Sequence, residues 1–201
     1  NMERPCSRFP SDPGLDRWIR AAPYPNLRLF HNGRWQAAST NNLPDFSALM
    51  TAFGIRLHRE LNVPVGLLVG ASGGTPSAVW VPEEDYRADA ACRKAAADYA
   101  RGYNLELALK RHADTMARWD EIVADARKAG KPAPRMPYAP VLAGESYRGG
   151  IGEQFEARIR PFLPYAIRGV LWDQGEGGSC ITGVDQYTVM GALIRGWRRQ
   201  W

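Results

Sequence analysis

Two short stretches hold the residue types that chemistry needs. Residues 70–76 read Gly-Ala-Ser-Gly-Gly-Thr-Pro and residues 174–176 read Gln-Gly-Glu. A glycine lets its backbone N–H come close to a bound group and can take a positive φ, so Gly73 and Gly74 are candidate donors to an anion. Gln174 adds a side-chain amide and Glu176 a carboxylate, while Thr75 supports the first loop. Residues 70–74 also satisfy the G-x-S-x-G pattern of a nucleophile elbow, which makes Ser72 a candidate nucleophile for an α/β-hydrolase-type esterase. That chemistry needs an acid and then a histidine further along. Only His112 follows, inside an alanine-rich helical stretch and before any candidate strand-end acid, so Ser72 stands as the alternative.

The elements that must position these groups can be read from periodicity. Residues 63–69 form an apolar run that breaks into the first loop, and residues 166–172 form a second that stops at the Gln-Gly-Glu loop. Both predict buried strands delivering polar groups to the mouth of a site. Before the first strand, Phe46, Leu49, Met50, Phe53, Leu57 and Leu61 recur at helical spacing, with Asp45 as the expected cap and Asn62 and Pro64 as the stop. Residues 1–26 read as a loop, 27–30 as a short strand, and Asn32-Gly33 as a turn. Two helices are expected over about 84–101 and 104–129, a proline-rich connector over 131–140, and a short helix over 154–162. Tyr187, Met190, Leu193, Ile194, Trp197 and Trp201 make the stripe of a closing helix.

Bulk properties fit one globular α/β domain spanning residues 1–201. The chain is 45% apolar, and no apolar stretch reaches the roughly 18 residues a membrane span requires. Three widely separated cysteines, Cys6, Cys92 and Cys180, suggest neither a metal pair nor a disulfide framework, and no cofactor is expected. Net charge is +5 with the basic residues dispersed, which permits weak attraction to anions such as acidic sugars. The cluster from Arg195 to Arg199 reads as the solvated face of a terminal helix, and no nucleic-acid partner is expected.

Gly73-Gly74-Thr75-Pro76 together with Pro164-Tyr-Ala-Ile-Arg-Gly-Val-Leu-Trp-Asp-Gln-Gly-Glu176 resembles the sialate O-acetylesterase family of carbohydrate esterases, in the SGNH hydrolase superfamily. Gly33-Arg34-Trp35-Gln36, Phe46-Ser47-Ala48 and the helix around Trp197-Arg198 extend the resemblance, which covers most of the chain outside 81–145. Asp173 stands where the family pattern has tyrosine, which bears on the lining of the pocket. Asn1-Met2-Glu3 is similar to the tail of a Gly-Gln-Ser-Asn-Met block whose serine is the nucleophile, placing that serine one residue before Asn1. The family's base sits in an Asp-x-x-His block near the C-terminus; none of His31, His58 and His112 has an Asp three residues ahead of it.

The resemblance implies a three-layer, flavodoxin-like SGNH fold with a parallel sheet, incomplete at both ends, and a helical insert at about 84–129. It implies a serine esterase acting on an acetylated carbohydrate in its full-length form, while the 201 residues alone are expected to be inactive. Gly73, Gly74 and Gln174 would form the oxyanion hole, with Asn1, Thr75 and Glu176 in support. It favours a secreted, periplasmic or lysosomal location. The alternative is a domain that binds carbohydrate or acts as a scaffold without chemistry. Neither the acetylated sugar, the oligomeric state nor the choice between Gly73 and Gly74 as donor is readable from the sequence.

Overall fold

The computed structural model describes residues 2–31, 33–175 and 177–201. Contacts divide it into two compact units, Asn1–Thr75 with Ile167–Gly175, and Pro76–Ala166 with Glu176–Trp201.

The first unit is a mixed α/β body. Its opening residues are more ordered than a loop: a 3-10 turn over Cys6–Arg8 leads to α1, Pro13–Arg20. The signal for α1 is local, since Asp12 accepts from the N–H groups of Gly14 and Leu15 and Pro13 occupies the first turn, where it has no hydrogen bond to lose. Strands β1 (Tyr24–His31) and β2 (Arg34–Ala38) form an antiparallel hairpin, and β3 (Val65–Leu68) pairs parallel to β1, giving the order β2-β1-β3. The sheet is therefore mixed, where a parallel one was expected.

Helix α2, Ala48–Leu61, lies where the periodicity places it, but its cap and its buried face differ from expectation. Ser47, two residues after Asp45, is the cap and accepts from Met50 N–H at 3.2 Å. The face turned inward holds Thr51, Gly54 and Ile55, while Leu49, Phe53 and Leu61 are exposed. Close approach explains the choice: a Cβ on Gly54 would lie 2.6 Å from Leu67 Cδ1, so the helix backbone comes against the sheet at a point where no larger side chain fits. The core so formed contains Tyr24, Leu27, Leu29, Leu43, Phe46, Ile55, Val65 and Leu67. Burying each large member is worth about 1.5–3 kcal/mol.

The second run expected as a strand, residues 166–172, is not one. Among the described residues it pairs with no strand, and Val170 and Leu171 are 50% and 40% exposed. An apolar run becomes a buried strand only where a neighbour supplies the hydrogen-bonding ladder and a layer covers both faces.

The second unit is helical. Four helices occupy the region where two were expected: α3 (Glu83–Ala88), α4 (Ala90–Ala100), α5 (Leu105–Ala117) and α6 (Trp119–Lys128). The extra breaks come at Asp89, which caps α4, and at Arg118. Residues 131–140 lack regular structure, and Phe155–Ile159 forms a π-helical turn that runs into a 3-10 turn over Arg160–Phe162. Helix α7, Gln186–Gln200, buries Val189, Ala192, Leu193, Gly196 and Trp197; Tyr187, assigned to the apolar stripe, is 89% exposed. Trp197 donates from its indole to the Trp80 carbonyl at 2.9 Å, and Arg199 pairs with the buried Asp85. No described helix is long and apolar enough to cross a membrane.

Candidate active site

Three segments of the first unit converge at the carboxyl end of β3. β1 runs parallel to β3 with Phe30 opposite Leu68, so both strands end on this side.

The first segment is the turn from Ser72 to Thr75. Gly74 has φ +76°, a value that a residue with a Cβ reaches only under strain. Thr75 closes the turn by donating from its hydroxyl to the Ser72 carbonyl at 2.8 Å. Gly73 meets a different requirement: a Cβ there would stand 3.0 Å from the Glu3 carbonyl oxygen. The N-terminal segment thus passes directly over this glycine.

The second segment ends in Gln174-Gly175. Gln174 is half-buried and donates from Nε2 to the Thr75 carbonyl at 3.3 Å. That contact sets the amide's orientation, because its own oxygen would repel the carbonyl. Gln174 Oε1 is buried with no hydrogen-bond partner among the described residues. At Gly175 a Cβ would lie 2.5 Å from Met2 Sδ, so this glycine too makes room for the N-terminal segment.

That third segment is held by the start of α2. Ser47 donates to Glu3 Oε2 at 2.8 Å, Ala48 N–H donates to the Arg4 carbonyl at 2.9 Å, and Cys6 N–H donates to the Phe46 carbonyl at 2.9 Å. Burial pushes the Glu3 carboxyl above its ordinary pKa, partly offset by the Ser47 hydrogen bond. Burial also pushes up the Cys6 thiol, which donates to Thr51 Oγ1 at 3.5 Å, so Cys6 is a packed side chain and not an activated thiolate.

Of the residues singled out by sequence, Gly73, Gly74, Thr75 and Gln174 meet in one place, while Asn1 and Glu176 lie outside the described residues. Glu3 and Ser47 tie the arrangement together, and sequence reasoning assigned neither a role there. The signal was present in Ser47, whose position before the apolar helix is that of an N-cap. Among the described residues no hydrogen bond joins Ser72 to any histidine: His58 Nδ1 contacts the Val63 carbonyl at 2.7 Å, and His31 stacks edge-on against Phe46. His112 belongs to α5, in the second unit. Cys180, in the second unit, is buried and donates to the Gly177 carbonyl at 3.0 Å. No described group of three or more His, Cys, Asp or Glu side chains is placed to hold a metal ion.

Backbone N–H groups on a glycine turn and a side-chain amide fixed beside them can together receive an oxygen that carries negative charge. The chain matches no protein-family model and no solved structure. It is 28% identical over 159 residues to a sialate O-acetylesterase of Rattus norvegicus, an alignment covering 79% of this chain. The chain spans about a quarter of that relative, 26% of its length, and the similarity makes hydrolase chemistry of the esterase kind the reading to test.

Proposed function

We propose that this chain belongs to a serine esterase that removes O-acetyl groups from sugars, and that residues 73–75 and 174 form the oxyanion-stabilising wall of its site. Ester hydrolysis passes through a tetrahedral intermediate with charge on the former carbonyl oxygen, and donors aimed at that oxygen contribute more than any other single interaction in many such enzymes. On this reading the N–H groups of Gly73 or Gly74 supply the backbone donor. Gln174 supplies the second: one of its two N–H groups is held by the Thr75 carbonyl, which leaves the other to meet the substrate oxygen.

The single observation that carries the reading is the 3.3 Å contact between Gln174 Nε2 and the Thr75 carbonyl. It joins two loops 99 positions apart, each carrying glycines and polar groups. The rat relative's name supports the acyl group and the carbohydrate, and the parallel β1–β3 pair agrees with a flavodoxin-like SGNH sheet. The nucleophile and base of this reading are other residues than the described histidines and Ser72.

The test is hydrolysis of an aryl acetate and of an O-acetylated sugar by the chain in its full reading frame. Gln174→Ala should lower kcat by about 100- to 1000-fold with little change in KM. An unchanged kcat removes Gln174 from the mechanism, and a wild-type protein that cleaves neither ester defeats the esterase reading.

A further inference from the structure

Helices α1 and α2 enclose a cleft of about 230 Å³ that lies apart from the three converging segments. It is lined by Arg17 and Trp18 of α1 and by Ile55, Arg56, Arg59 and Glu60 of α2. Three arginines and one glutamate line it, so its lining carries more positive than negative charge.

The three arginines are not equivalent. Arg56 is paired with Glu60 at 3.4 Å, both largely exposed. Arg59 is anchored: its Nη2 donates to the Tyr24 hydroxyl at 3.5 Å, its guanidinium lies 6.0 Å from that ring's centroid, and Tyr24 is itself buried in the core. The same Tyr24 hydroxyl donates to the Trp18 carbonyl at 2.9 Å, so one buried residue fixes both the arginine and the aromatic wall. Arg17 has no ion-pair partner among the described residues, whereas its neighbour Arg20 is paired with Asp16 at 2.8 Å. An anchored guanidinium, an unpaired one and a flat aromatic side chain around one hollow are the parts that recognise an oxyanion on a compact organic body. The forked donors of Arg match carboxylate and phosphate, and Trp18 offers a stacking surface.

We propose that the α1–α2 cleft binds the oxyanion of a small molecule through Arg17 and Arg59, with Trp18 against its body. The volume falls below the roughly 300–1,000 Å³ of sites for drug-sized ligands, which limits the occupant to about the size of a single sugar ring. The site stands independently of the esterase reading and survives its failure.

The experiment is a titration of the full chain with glucuronate, glucose and inorganic phosphate, followed through the Trp18 indole N–H resonance, which Trp18→Phe identifies. Glucuronate should give a saturable shift and glucose none. Arg17→Ala and Arg59→Ala should each weaken binding by about tenfold or more, the scale of a charged hydrogen bond. Arg118→Ala, which removes an exposed arginine paired with Glu121 in the second unit, should leave binding unchanged. Saturation by either anion supports the site, and the tighter of the two identifies the oxyanion it prefers. Glucose matching glucuronate, an Arg118 variant as weak as the Arg17 variant, or no saturable shift from both anions would overturn it. Arg59→Lys, which keeps the charge near Tyr24, separates loss of binding from loss of fold.

Discussion

Residues 65–75 and residues 167–175 both bring a polar loop to the same place, by different physical means. The first loop leaves a paired strand: β3 has β1 alongside it, Val65 and Leu67 in the core, and a turn closed by the Thr75 hydroxyl. The second leaves a segment with no strand partner among the described residues and with Val170 and Leu171 open to solvent. Its far end is placed by Gln174 on the Thr75 carbonyl, with Gly175 beside Met2. The position of Gln174 thus depends on side-chain contacts at the loop, whereas that of Gly73 and Gly74 rests on a backbone ladder.

The contrast can be broken most easily through stability. Leu67→Ala should cost about 2–5 kcal/mol, because Leu67 is 2% exposed and packs under Gly54, whereas Leu171→Ala should stay within about 0.5 kcal/mol. Urea unfolding of the two variants decides it, and equal losses would mean that residues 167–172 are packed like β3. A smaller effect sharpens the role of the turn. Thr75→Val removes the hydroxyl bond to Ser72 and should cost about 1 kcal/mol, with a drop in kcat smaller than that of Gln174→Ala. Thr75→Ser should restore both, and a serine variant as impaired as valine would show that the hydroxyl is not what closes the turn.

The smallest effect concerns the N-terminal segment. Burial raises the Glu3 pKa in the folded state, so folding favours the protonated form. The associated stability is full below the ordinary carboxylate value and is lost as pH rises through the raised one. Glu3→Gln, which can still accept from Ser47, should match the wild type in acid and exceed it progressively towards neutral pH. Denaturation midpoints that stay parallel across that range would show that folding does not desolvate the Glu3 carboxyl.

The residues that meet at the site were readable because their reasons are local. A Gly-Gly turn followed by threonine needs no knowledge of the rest of the chain, and the glycines at 73 and 74 serve the close approach and the positive φ that glycine allows. What failed needed tertiary information. The stripe has the right spacing for a buried face, and Phe46, Met50 and Leu57 do pack on the core, yet Gly54 brings the helix backbone against the sheet beside them and leaves Leu49 and Phe53 outside. Residues 166–172 have strand composition, but composition cannot report whether a neighbour is present. Helix α1 is a different case, for Asp12-Pro13 is a legible start signal inside a stretch whose prolines and charges read as a loop.

Ser47 uses one hydroxyl for two tasks, accepting a hydrogen bond from the Met50 N–H while donating one to Glu3. Winding of the helix and docking of the chain's opening residues are therefore coupled, and neither can be loosened without disturbing the other. A protease that nicks the opening residues should find its opportunity only when the first turn of α2 frays, which makes that turn the latch of the whole corner.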